Sequence, residues 1–228
     1  MGYAIPAPEI VTVPVVGSGD RFPVRRIYCV GRNYAAHARE MGHDPDREDP
    51  FFFMKPADAI VPSGSTIPYP PMTKDVHHEI EMVVAIGKGG REIAANSARE
   101  HIFGYAVGID LTRRDLQGEA KKLGRPWDMG KGFDNSAPCA PLSPVSRVGH
   151  IEKGAIWLKI NGEIRQQSDI KMLIWNVPEM IAYLSRFVEL KPGDLIFSGT
   201  PEGVGPVRKG DTLVGHVDGL EDLTIKIA

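Results

Sequence analysis

The apolar positions of this chain recur mainly in short runs closed by glycine or proline, the pattern of strands joined by tight turns. Ile10-Val11-Thr12-Val13 and Val15-Val16 predict a first strand, interrupted at Pro14 and so placed at a sheet edge. Arg26-Ile27-Tyr28-Cys29-Val30-Gly31 predicts a second, and Phe51-Phe52-Phe53-Met54 a buried third. Five prolines within 56–72 predict turns and edge strands. A β-branched run over 79–86 predicts a buried strand closed by Gly87, and Tyr105-Ala106-Val107-Gly108-Ile109 predicts another that delivers Asp110 at its end. Asn161-Gly162 between 156–160 and 163–167 is a strong hairpin signal. Leu195-Ile196-Phe197 and the segments 212–217 and 222–227 predict the remaining strands.

Helical spacing is rarer. It predicts a helix over 33–42 with Asn33 as cap and Gly42 as stop, and a short one over 96–101. A third runs to Lys122 from near Thr112, and a fourth to Phe187 with Asn176 as cap and Pro178 in its first turn. Residues 43–50 carry the charge and prolines of a lid, and equally of a solvated connection. Residues 124–144 read as irregular, with Trp127, Lys131 and Asp134 conspicuous, and 198–205 as a glycine-rich loop. No linker divides the chain. The expectation is one β-rich α+β domain, with 1–25 as a strand segment without motif.

Composition narrows the function classes. The 228 residues are 42% hydrophobic and 25% charged, as in ordinary globular proteins, and the net charge is −2. No basic run or pole speaks for nucleic acid or a membrane surface. Cys29 and Cys139 form no framework, no apolar run approaches a membrane span, and no signal sequence is evident, so a cytoplasmic protein is expected. Gly87-Lys88-Gly89-Gly90 lacks the spacing and the following Ser or Thr of a phosphate-binding loop and reads as a turn.

The charges on the 79–86 strand pose the chemical question. Glu79 and Glu81, at i and i+2, share a face about 7 Å apart. They repel by about 2–3 kcal/mol at an effective dielectric near 20. Solvent, a shared proton, a basic partner or a metal ion could offset this. If the strand that delivers Asp110 lies alongside, three carboxylates converge, more than a single lysine or proton balances. A hard divalent cation takes such oxygen ligands. The spacing leaves a second reading open, with the glutamates at a solvated strand end and Asp110 as a helix cap. His77 and His78 point to opposite faces of a strand and read as neighbours of the site rather than ligands.

Six stretches carry a family resemblance: GRNYAAHAREMG (31–42), FFFMKPADAIV (51–61), HHEIEMVVAIG (77–87), GYAVGIDLTRRDLQ (104–117), WDMGKGFD (127–134) and SGTPEGVG (198–205). Together, in this order, they resemble the fumarylacetoacetate hydrolase family in its short single-domain branch. The resemblance implies a mixed β-roll, a homodimer, and a divalent metal on Glu79, Glu81 and Asp110, with Mg²⁺ first and Mn²⁺ or Ca²⁺ as alternatives. It implies a His37–Glu40 dyad in which His37 takes a proton from water and Glu40 orients its ring. It also implies Lys131 and Gln117 as stabilisers of a developing oxyanion, and Arg114, Arg32, Gly199 and Thr200 as substrate contacts.

The implied substrate is a 2,4-dioxo acid, chelated through its carboxylate and 2-oxo oxygen while the metal stabilises the enolate that leaves. FFFMKPADAIV and WDMGKGFD, with IPYPPMTKDVHHEIEMV (67–83), are most similar to bacterial members acting on fumarylpyruvate, which would give fumarate and pyruvate in aromatic catabolism. Arg32, Arg39 and Arg47 are the candidates for holding that substrate's distal carboxylate. Decarboxylation or isomerisation on the same site is the nearest alternative, and a non-catalytic metal-binding member a remote one.

Overall fold

The computed structural model describes residues 2–36 and 48–228. It is mostly strand with few short helices, the sheets curling into a half-barrel as expected for a β-rich α+β fold. The largest sheet is mixed and eight-stranded. Seven of its strands run in the order Phe51–Lys55, Arg26–Gly31, Asp194–Phe197, Ile80–Ile86, Ile102–Ile109, Ala137–Cys139, Ile60–Pro62, and Ser143–Pro144 joins beside Ile102–Ile109. A five-stranded sheet packs against it, in the order Glu163–Asp169, Ala155–Ile160, Thr212–Val217, Leu223–Ile227, Thr66–Ile67.

Ile80–Ile86 is buried at every position because it has a core on each face. Ile80, Met82, Val84 and Ile86 pack with Ile156, Leu158, Leu213 and Ile225 from the second sheet. Val83 and Ala85 pack on the other side with Val13, Phe22, Cys29, Leu195 and Phe197. Two-sided burial is why this strand reads as a continuous apolar run rather than an alternation. Each of its larger side chains contributes about 1.5–3 kcal/mol by leaving water. The two sheets approach closely at Gly215, where a Cβ would lie 2.5 Å from Ile80 Cδ1 and 3.2 Å from Val107 Cγ1. The N-terminal strands Thr12–Pro14 and Arg21–Pro23 form a separate two-stranded ribbon whose Val13 and Phe22 enter the second core.

Local signals account for much of the rest. Asn161-Gly162 turns Ala155–Ile160 into Glu163–Asp169, with φ of 51° and 87° at the two turn residues. Asn176 caps the helix Val177–Phe187 in a reciprocal capping box with Glu179. Three expectations shift.

The strand expected over 79–86 starts at Ile80. Glu79 sits where the chain passes from Val76–His78, part of a three-stranded ribbon with Thr112–Arg113 and Gly205–Pro206, into the large sheet. The helix expected from Thr112 begins at Arg114, because Thr112 and Arg113 pair with His77 and Val76. Phe51–Lys55 is half-buried rather than buried, since it forms the sheet edge, and Lys55 is its one buried residue.

Candidate active site

The three acids meet because their strands are neighbours. Ile80–Ile86 and Ile102–Ile109 run antiparallel, with Ile80 opposite Ile109 and Glu81 opposite Gly108. The start of one strand and the end of the other therefore coincide, and the Asp110 N–H donates to the Glu79 carbonyl at 2.8 Å. One carboxylate oxygen from each of Glu79, Glu81 and Asp110 lies within 4.8 Å of the others, and all three residues are buried. The reading of a solvated strand end is excluded by that burial.

Basic side chains surround the cluster. Lys131 Nζ donates to Glu79 Oε2 and Asp110 Oδ2, each at 2.7 Å. Lys55 Nζ lies 2.9 Å from Asp110 Oδ1 and donates to the carbonyls of Leu111, at 3.1 Å, and Lys131. Arg114 Nη2 donates to Glu79 Oε1, and its Nη1 to Gln117 Oε1 at 2.6 Å. The protein thus sets three cations against three carboxylates, more than the single lysine weighed from the sequence.

The compensation is uneven in space. Glu81 accepts the Gly199 N–H at 2.7 Å, and among the described residues no ion pair reaches it. Burial, then the charges of Asp110 and Glu79, push its carboxyl well above the usual carboxylate range. Asp110 Oδ1 is buried without a hydrogen bond of proper geometry, so its contact with Lys55 is one of charge alone. Three convergent carboxylates, one of them buried with no ion pair among the described residues, fit a hard divalent cation as all-oxygen ligands.

Around this floor the fold places the other predicted residues. Burial opposes the charge of Lys131, but Asp110 and Glu79 outweigh it and hold its pKa above the ordinary lysine value. Gln117 is buried on the helix Arg114–Lys122, and a Cβ on Gly130 would lie 3.0 Å from it, so the turn Asp128–Lys131 needs glycine there to close on that helix. Gly199, at φ of 93°, turns its amide to Glu81. Thr200, Gln117 and Lys131 line a cavity above the carboxylates with Arg32, Phe51, Phe53, Lys121 and Trp127. Arg32 adopts φ of 55°, a left-handed conformation that costs a side-chain-bearing residue about 1–2 kcal/mol, and its guanidinium lies over the Phe51 ring. His37 and Glu40, with Arg39 and Arg47, lie outside the described residues.

Several contributors are not legible in the sequence pattern. Lys55 closes an aromatic run, and only the lone charge before Pro56 hints at burial. Gln166 sits on a mostly exposed strand, yet its side chain is buried: Oε1 accepts from Ile80 N–H at 3.0 Å and lies 2.8 Å from His78 Nδ1. Its Nε2 donates to Thr200 Oγ1 and the Pro201 carbonyl, both at 2.9 Å. Gln166 thereby ties the carboxylate strand to the glycine-rich loop. His78, buried on it, has its pKa lowered to about 4, chiefly by burial. His77 approaches Arg114 Nε at 3.4 Å, so neither histidine joins the carboxylates directly. Asn33, expected as a helix cap, uses its carboxamide across the fold, accepting from Trp175 N–H at 2.7 Å and donating to the Ser198 carbonyl at 2.8 Å.

Comparison with known proteins places this geometry. Residues 26–228 match the fumarylacetoacetate (FAA) hydrolase C-terminal domain. The chain is 46% identical over 189 residues to fumarylpyruvate hydrolase of a Ralstonia species, covering 82% of this chain and 98% of that protein. It is 40% identical over 203 residues to the human mitochondrial oxaloacetate tautomerase FAHD1, covering 89% and 91%. A crystal structure of fumarylpyruvate hydrolase from Pseudomonas aeruginosa, in complex with Mn²⁺ and pyruvate, superposes with a TM-score of 0.98 at 55% identity, covering 100% of this chain and 99% of that one.

Proposed function

The chain belongs to the fumarylacetoacetate hydrolase family, and from that premise we propose that it hydrolyses the C–C bond of an acylpyruvate, with fumarylpyruvate as substrate and fumarate and pyruvate as products. The observation that carries this reading is the carboxylate cluster of Glu79, Glu81 and Asp110 set against a cavity that Glu79 and Glu81 line together with Gln117, Lys131 and Thr200. Relatives similar over nearly their whole length carry that activity in their names.

Glu79, Glu81 and Asp110 would hold a divalent cation, Mg²⁺ in our reading, which supplies Lewis-acid polarisation to a chelating 2-oxo acid. The rest of the chemistry falls to side chains. Water adds to the C4 carbonyl, the C3–C4 bond breaks, and its electron pair leaves with C3 as the pyruvate enolate, which is then protonated at C3. His37, carried over from the motif at 31–42, is the base for that water, with Glu40 as its orienting partner. Lys131 holds a positive charge in the cavity lining, and Gln117, clamped through Oε1 to Arg114, keeps its amide N–H₂ for an oxyanion. Thr200 is fixed by Gln166 at the position where the family holds a substrate carboxylate.

The likeness to an oxaloacetate tautomerase supports a second reading, enolisation of oxaloacetate on the same floor. NMR of the products separates the two. With Mg²⁺ and fumarylpyruvate, the ultraviolet absorbance of the substrate should fall as fumarate and pyruvate appear in equal amounts. Turnover of acetylpyruvate without turnover of fumarylpyruvate would sink the substrate assignment, and oxaloacetate tautomerisation without any acid release would favour the second reading.

A further inference from the structure

The helix Arg114–Lys122 places Arg114, Gln117 and Lys121 at i, i+3 and i+7, on one face, and all three line the cavity. At the rise of an α-helix, Lys121 lies about 10 Å along the axis from Arg114. Arg114 is tied to Glu79 at the floor, so Lys121 marks the outer end of the same wall. Its ammonium stands 4.8 Å from the centroid of Trp127, whose ring packs edge-on against Phe51 at 5.4 Å and tilted against Phe53 at 5.9 Å. This aromatic shelf fixes a side chain that would otherwise sample solvent.

Among the described residues, the charge around Lys121 is mostly positive. Lys131 and Arg114 are committed to Glu79 and Asp110. Arg32 has Glu48 at 4.0 Å. Burial, then the cations Arg114, Arg32 and Lys131, lower the pKa of Lys121, opposed among the described residues by Glu79. A half-buried ammonium held among like charges, facing a cavity, has its electrostatic complement in an anionic ligand.

We propose that Lys121 is a specificity-determining residue that binds a second carboxylate, at the far end of an extended 2-oxo acid whose near end rests on the Glu79, Glu81 and Asp110 floor. The inference rests on the acylpyruvate reading and deepens it. In fumarylpyruvate six bonds separate the two carboxyl carbons, about 8 Å when extended at ordinary bond lengths, comparable to the span of the helix face. The helix thus acts as a ruler, with Arg114 at the metal-binding end, Gln117 beside the reacting carbonyl and Lys121 at the distal anion. Acetylpyruvate, which ends in a methyl group, has nothing to offer Lys121.

The test compares wild type, Lys121→Gln and Lys121→Arg on fumarylpyruvate and acetylpyruvate. In Lys121→Gln the ratio of kcat/KM for fumarylpyruvate to that for acetylpyruvate falls about 10- to 100-fold, the worth of a charged hydrogen bond. The loss appears in KM, and Lys121→Arg restores most of it. An unchanged ratio overturns the proposal. Calorimetric titration with fumarate and with crotonate reads the same site without turnover. Fumarate weakens tenfold or more in Lys121→Gln relative to crotonate, and equal losses for both acids refute the assignment. Absence of acylpyruvate turnover in the wild type would refute the reaction, while the fumarate titration still decides Lys121.

Discussion

At the scale of single residues, the site is a set of buried charges whose partners were chosen for position rather than for stability alone. Lys55 shows this. It is fully buried, lies 2.9 Å from Asp110, and donates to two carbonyls beside the site. A buried pair of this kind adds little net stability, but losing one partner strands the other. We expect Lys55→Met to destabilise the metal-free protein by about 3–5 kcal/mol in urea unfolding and to misplace Asp110. A loss below about 1 kcal/mol would show that Asp110 finds its compensation elsewhere. The sequence offered no way to rank Lys55 above the other lysines, because a residue's charge is visible there and its burial is not.

At the scale of elements, the local code is strong where turns and caps are decided by a few neighbouring residues. The Asn161-Gly162 hairpin and the Asn176 cap were both readable for that reason. Asn176→Ala removes the side-chain acceptor of the Glu179 N–H, while the backbone N–H of residue 176 still donates to the Glu179 carboxylate. The expected cost is about 1 kcal/mol of stability, measured by thermal unfolding, with substrate turnover retained because the helix packs behind the site. Loss of turnover without loss of stability would show that this helix does more than pack. Longer elements depart from their local pattern where tertiary pairing overrides local preference. Thr112 and Arg113 join a ribbon instead of a helix, and Glu79 falls in the step between two sheets.

At the scale of the molecule, the carboxylate cluster couples stability to ligand. Glu81 has a folded-state pKa above its unfolded value, so its ionisation opposes folding. The cost is absent at pH below the ordinary carboxylate range and grows as pH rises towards the raised folded value. Metal-free protein should therefore lose stability from about pH 4 upward through that window, and a divalent cation should restore it by mass action. Glu81→Gln should raise the melting temperature of the metal-free protein and abolish the further rise on adding Mg²⁺ or Mn²⁺. A metal-induced shift of wild-type size in Glu81→Gln would remove Glu81 from the ligand set.

The sequence by itself determined the strands with two-sided apolar runs, the turns fixed by Asn-Gly and Pro, and the residue types of the site, since Glu79, Glu81, Asp110 and Lys131 stand out by spacing and motif. Those features depend on near neighbours or on an ordered set of short stretches, both of which a linear chain displays. Tertiary structure alone decided that three basic side chains, from Phe51–Lys55, Arg114–Lys122 and Asp128–Lys131, close on Glu79 and Asp110, while among the described residues Glu81 is bonded by a backbone amide. It also placed Gln166 between strand and loop, and set Lys121 two turns along the wall from Arg114. Electrostatic balance in a buried site is a sum over elements distant in sequence, and only the fold fixes their distances.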